Sequence, residues 1–175
     1  MKLSNLLSIS AVAVASVAAL AVDLQQTPLN PCKAVIPGGS PVCHCSLPAD
    51  DLVQIQNIEI TPNPPVAGDS LLLEASGVLH TTIQEGARLE VVVRLGYVIL
   101  LRKTLDFCEE IVKADVDIAC PVKEGPISIS KSVDLPREIP PGTFVVTANL
   151  FNADDSLITC LAAKVAFARK SSLST

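Results

Sequence analysis

Apolar and polar side chains alternate along residues 88–95, with Leu89, Val91, Val93 and Leu95 on one face and Arg88, Glu90 and Arg94 on the other. A period of two marks a strand with one buried face. The pattern returns with Phe144, Val146, Ala148 and Leu150, set against Val145, Thr147 and Asn149, and again with Leu161, Ala163, Val165 and Phe167. Between these last two runs, Asn152-Ala-Asp-Asp-Ser156 carries side chains that favour a hairpin turn. Further strands are expected at residues 53–60, 70–79, 97–105 and 127–133. In the first of these the apolar parity slips from Val53 and Ile55 to Ile58 and Ile60, which predicts a bulge near Gln56-Asn57. The proline-rich stretches 61–68 and 135–142 read as connections between strands. Gly and Pro punctuate the chain, and Val and Ile crowd its apolar runs, so long helices are not expected and the pattern is that of an all-β sandwich or barrel.

The amino-terminal pattern differs. Lys2 precedes an apolar run over residues 6–21 that closes on Ala19-Leu20-Ala21, the three parts of a cleavable export signal. The run is short for a membrane span and no stop-transfer cluster follows it, so residues 1–21 are expected to be removed. What remains is about 150 residues, one domain by size. Residues 22–48 are rich in Pro, Gly, Ser and Gln without a sustained period. They read as an irregular arm or a pro-segment. The domain division is therefore signal peptide 1–21, arm 22–44, sandwich 45–168 and flexible tail 169–175.

Export changes the reading of Cys32, Cys43, Cys45, Cys108, Cys120 and Cys160, because an even set in an oxidising compartment is normally paired. Pattern alone does not choose among the pairings. Cys43-His44-Cys45 offers zinc-type ligands but lacks a second ligand pair at finger-like spacing, so no metal or other cofactor is expected. The formal charge of −5 becomes about −6 once Lys2 leaves with the signal. That balance disfavours nucleic acid, since no basic stripe is present to neutralise phosphates. Contact with anionic membranes is expected to be transient.

Covalent chemistry is hard to find. Glu109-Glu110, Asp154-Asp155 and the pair Asp115 and Asp117 are acidic groups of the kind usually solvated in turns. No G-x-S-x-G is present, and only His44 and His80 are available as a base. The chain is read as no enzyme. It has no Trp, one Tyr and four Phe, so the sandwich interior has little aromatic bulk. Taken alone, this pattern describes a packed core of Val, Leu and Ile, and an adhesion or inhibitor module acting through its outer loops.

A collinear series of motifs changes that reading. Cys45, Asp51-Leu52, Ile60-Thr-Pro-Asn-Pro-Pro65, Glu74-Ala-Ser-Gly77, Cys108, Ala119-Cys-Pro121, Val133-Asp-Leu-Pro136, Ile139-Pro-Pro-Gly142 and Ile158-Thr-Cys-Leu161 occur in that order. The series resembles the fungal phosphatidylglycerol/phosphatidylinositol transfer proteins of the MD-2-related lipid-recognition family, which also holds the Niemann-Pick type C2 sterol carriers. It runs from about Cys45 to Phe167. The resemblance implies an immunoglobulin-like β-sandwich of two antiparallel sheets with an internal lipid cavity, a phospholipid or sterol as ligand, and transfer of that lipid between membranes by a monomer in the secretory pathway, either secreted or in a vacuolar lumen.

It also implies bridges Cys45–Cys160 and Cys108–Cys120. Cys32 and Cys43 are left, and the sequence, which departs from the sterol carriers by adding cysteines in the arm, allows a Cys32–Cys43 bridge. The inward faces of the three alternating strands, Leu89, Val91, Val93, Leu95, Phe144, Val146, Ala148, Leu150, Leu161, Val165 and Phe167, become the expected cavity wall. The stretches that match the sterol carriers' cavity mouth offer Tyr97, Leu100, Leu101, Leu135 and Ile139, without the aromatic residues of those relatives. Arg102, Lys103 and Arg137 lie close enough in sequence to such a rim to meet a phosphate, or to be ordinary solvated charges.

Overall fold

The computed structural model describes residues 30–168. The expected export signal at 1–21, the first part of the expected arm and the expected tail at 169–175 lie outside the described residues. The described residues from Pro31 onward belong to one compact unit. Its strands are β1 (Ala34–Val35), β2 (Val42–His44), β3 (Val53–Thr61), β4 (Ser70–Leu79), β5 (Arg88–Leu95), β6 (Val98–Asp106), β7 (Gly125–Asp134), β8 (Gly142–Phe151) and β9 (Leu157–Phe167), with helix α1 (Phe107–Lys113) between β6 and β7. They form a six-stranded sheet in the order β1-β2-β9-β8-β5-β6 and a three-stranded sheet in the order β3-β4-β7. Every pairing is antiparallel.

The expected strands are present with ends shifted by a few residues, and the register of β3 against β4 breaks between Ile55 and Asn57, where the parity slip places a bulge. The hairpin between β8 and β9 closes with Asn152 N–H and Asp155 N–H in turn hydrogen bonds. Asp154 accepts from both the hydroxyl and the N–H of Ser156, which lowers its pKa, with the hydroxyl contribution the larger.

Two elements depart from the sequence reading. The second half of the arm is not irregular throughout: β1 and β2 extend the large sheet beyond β9, with Cys43 opposite Ala162 and His44 opposite Leu161. Their strand state comes from pairing with β9, since two and three residues have too little pattern of their own. The other is α1, begun by Asp106, whose carboxylate accepts from Glu109 N–H. Its Ile111 is buried beside Phe107 in a cluster with Leu79, Ile83, Ala87, Val122 and Ile158. This cluster closes one end of the sandwich, where Ile83 and Val122 also exchange backbone hydrogen bonds of 2.9 Å.

All six cysteines are paired, as Cys32–Cys43, Cys45–Cys160 and Cys108–Cys120. The second joins residues 115 apart in sequence and fastens the segment entering β3 to the last strand. The third holds α1 to the loop that leads into β7.

Candidate apolar cavity between the sheets

Directly paired residues on antiparallel strands share a face, so the register sorts the expected wall into rows. Leu89, Leu150 and Thr159 form one row, Val91, Ala148 and Leu161 the next, then Val93, Val146 and Ala163, then Leu95, Phe144 and Val165. Phe167 lies opposite Gly142 and edge-on to Phe144, with ring centroids 5.5 Å apart. On the small sheet the facing rows are Val53 with Leu79, Ile55 with Gly77 and Ile127, Ile58 with Ala75 and Ile129, and Ile60 with Leu73.

A cavity of about 170 Å³ lies between the sheets. Of the residues expected from alternation, Leu150 and Leu161 border it; the rest of its wall comes from Val53, Ile55 and Ile58 on β3, Ala75, Ser76, Gly77 and Leu79 on β4, Ile127 and Ile129 on β7, and Phe107, Ile83, Ile158 and Thr159. The space has a local cause in β4. Its inward row runs Leu73, Ala75, Gly77, Leu79, so two small residues stand where neighbouring rows carry branched ones. Gly77 admits no larger residue without movement, because a Cβ there would lie 2.6 Å from the Gln54 carbonyl oxygen. The alternation of Ile127 and Ile129 with Ser128 and Ser130 was the sequence signal for this wall.

The remaining inward residues, Leu89, Val91, Val93, Leu95, Phe144, Val146, Ala148, Val165 and Phe167, occupy the same face of the large sheet without bordering that cavity. Phe167 instead borders a groove of about 660 Å³ with Pro64, Pro65, Val66, Arg137 and Ile139, at the end opposite the α1 cluster. Leu135 is half-buried in the link before it, its N–H bonded to Asp69 O at 3.0 Å. Tyr97 sits in the β5–β6 turn and Leu100 and Leu101 on β6; all three are exposed, Tyr97 by 78%.

A buried polar cluster touches the cavity through Thr159. The Asp51 carboxylate, its side chain 0% exposed, accepts from His44 Nδ1–H at 2.9 Å, Ser46 Oγ–H at 2.5 Å and Thr159 Oγ1–H at 2.9 Å. Ser46 Oγ in turn accepts from Cys160 N–H. Ser46 and His44 both address the carboxylate and not each other, so they do not form a serine–histidine pair. Cys43 and Cys45 are held in disulfides and His44 on Asp51, so the Cys43-His44-Cys45 sulfurs are not free to ligate.

The apolar space between two antiparallel sheets and the collinear motifs converge on one comparison. The ML domain family matches residues 39–167. This chain belongs to the ML domain family. It is 46% identical over 138 residues to the phosphatidylglycerol/phosphatidylinositol transfer protein of Neurospora crassa, covering 77% of each chain. To the protein of the same name in Eremothecium gossypii it is 46% identical over 132 residues, 75% of this chain and 62% of that one. Among solved structures, a Niemann-Pick type C2 protein from Japanese carpenter ant superposes with a TM-score of 0.53 at 14% identity, over 67% of this chain and 93% of that one. Chicken MD-1 complexed with lipid IVa gives 0.50 at 20% identity, over 62% and 78%. At those identities the structures establish the shared sandwich fold.

Proposed function

We propose that this ML domain protein binds a glycerophospholipid of the phosphatidylglycerol or phosphatidylinositol class, acyl chains between its sheets, and carries it between membranes without altering it. The observation that carries the reading is the cavity bounded by inward rows of Val, Ile, Leu and Ala, in a chain whose relatives are named for this transfer. Burying an acyl chain contributes roughly 0.8 kcal/mol per CH₂, ample affinity without a covalent step. Ligand pockets usually measure about 300–1,000 Å³, so a cavity of about 170 Å³ has to widen, through separation of the sheets, to take in a chain.

The three disulfides fit an oxidising compartment, secreted or lumenal, and among the described residues no helix is long and apolar enough to cross a membrane. The exposed run Tyr97 to Leu101 fits a monomer that touches bilayers briefly. The test is movement of fluorescent phosphatidylglycerol, phosphatidylinositol and sterol from donor to acceptor vesicles. Acceleration of either phospholipid, with the lipid recovered intact, supports the reading. Spontaneous rates for both phospholipids, or hydrolysed product, would overturn it.

A further inference from the structure

The inward rows of β3 to β9 are apolar apart from Thr159 and two charged positions, and both of these are lysines. Lys103 on β6 lies opposite Val91, in the row that continues through Ala148 to Leu161 at the cavity wall. Lys131 on β7 lies opposite Leu73, in the row next to Ala75 and Ile129, which also border the cavity. Charges of both signs populate the outward rows, as with Arg88, Glu90, Arg94 and Arg102 on the large sheet. The inward pair is cationic only, and among the described residues neither lysine pairs with a carboxylate.

Topology places the two lysines on one side of the sandwich. The β3 edge of the small sheet is held at the β1–β2 side of the large one, where Ile58 N–H bonds to Pro37 O at 2.9 Å. The opposite edges, β7 and β6, therefore flank the other side, and no backbone hydrogen bond joins them among the described residues. Every residue of β6 except Leu105 is exposed, so its inward face is uncovered. Lys131 is half-buried and Lys103 exposed, and the group that can meet both lysines at such an opening is an anion with several acceptor oxygens attached to an apolar body.

We propose that Lys103 and Lys131 hold the headgroup phosphodiester of a bound glycerophospholipid at the β6–β7 opening, with its acyl chains running inward along the rows that end at Leu161 and Ala75. This rests on the phospholipid reading above and adds the recognition of the charged group. Arg102, adjacent in sequence, lies opposite Val92 on the outward face and takes no part.

The experiment compares uptake of a fluorescent phosphatidylglycerol and of a diacylglycerol with the same acyl chains, which lacks the phosphate, by the full chain. The variants are K103Q/K131Q, K103R/K131R and the outward pair R102Q/K164Q, which removes the same charge from the other face. Expected is a loss of about tenfold or more in phosphatidylglycerol affinity for K103Q/K131Q, with diacylglycerol unchanged, near-normal binding by K103R/K131R, and little effect of R102Q/K164Q. Unchanged phosphatidylglycerol affinity in K103Q/K131Q, equal loss for both lipids, or equal loss from the outward pair would overturn the assignment while leaving lipid carriage intact. Wild-type chain that takes up neither lipid would overturn both.

Discussion

The two long sides of this sandwich are built in opposite ways. On the β1–β2–β9 side the chain crosses between the sheets repeatedly: Leu52 N–H bonds to Ile158 O at 2.8 Å, Ile58 N–H to Pro37 O, and Thr159 to Asp51. Cys45–Cys160 reinforces this side. On the β6–β7 side such bonds are absent among the described residues, and the β5–β6 turn and the start of β6 carry a run of exposed apolar residues from Tyr97 to Leu101. A sandwich fastened along one side, and on the other tied only where Cys108–Cys120 joins α1 to the loop before β7, would part its sheets at lower cost along the β6–β7 side than along the β1–β2–β9 side. This difference teaches how a cavity too small for a lipid can still receive one: the widening cost falls on side-chain contacts along the open side.

The sharpest way to break the comparison is to unfasten the closed side. Replacing Cys45 and Cys160 with Ser releases a bridge spanning 115 residues. The chain-entropy argument assigns it about 5 kcal/mol, against about 3 kcal/mol for a bridge as short as Cys108–Cys120. Calorimetry of C45S/C160S beside C108S/C120S should show the larger drop in melting temperature for the first. Equal drops would mean that the long bridge does not fasten this side.

Next is Asp51→Ala. It leaves the hydroxyls of Ser46 and Thr159 and the imidazole of His44 without their buried acceptor. The expected cost is about 3 to 5 kcal/mol, measured by denaturant unfolding. A loss of under about 1 kcal/mol would show that water replaces the carboxylate and that the cluster is not a fastening.

How far this division was legible in the sequence depends on which kind of information each part uses. The strands at 88–95, 144–150 and 161–167 were readable because alternation is local, and so was the bulge at Gln56-Asn57. Helix α1 was not, because seven residues are too few for a helical period to stand out, and its stability comes from Phe107 and Ile111 packing on residues far away in sequence. β1 and β2 exist through pairing with β9. The pairs Cys45–Cys160 and Cys108–Cys120 came from resemblance to a family, since spacing alone cannot choose them, and Cys32–Cys43 was only what remained. The cavity was legible in part: alternation states which face is inward, but where that face stays uncovered depends on the bulk of the opposing sheet. The wall gathers around Ala75 and Gly77, small residues whose effect appears only once β3 and β7 are placed on either side. Asp51 was visible as a motif position, yet its three donors come from separate stretches of chain.

Ala75→Leu sharpens the account of the cavity with a smaller energetic effect. The added carbons fill space between Ile58 and Ile129. Filling a void contributes up to about 2 kcal/mol at roughly 0.8 kcal/mol per CH₂, whereas overpacking a full core costs about 1 to 3 kcal/mol. The expected outcome is a melting temperature held or raised, with phosphatidylglycerol uptake weakened about tenfold or more. A lowered melting temperature with uptake intact would mark an ordinary core at this position.

The smallest expected change in stability is on the open side. Tyr97 and Leu100 are exposed by 78% and 51%, so Tyr97→Ser with Leu100→Ser removes almost no buried surface. Their replacement should leave unfolding within about 0.5 kcal/mol of the parent, as surface substitutions usually do. If the apolar run beside the opening is where the protein meets a bilayer, the same variant should lose vesicle association and transfer lipid several-fold more slowly. Its affinity for a lipid monomer presented in solution should stay unchanged. Co-flotation with anionic vesicles, a transfer assay and monomer binding separate these quantities. Transfer as fast as the parent's would place membrane contact elsewhere, with the groove at Val66, Ile139 and Phe167 as the next surface to alter. A parallel loss of monomer affinity would instead assign Tyr97 and Leu100 to lipid binding itself, and the open side would then serve the ligand without serving the membrane.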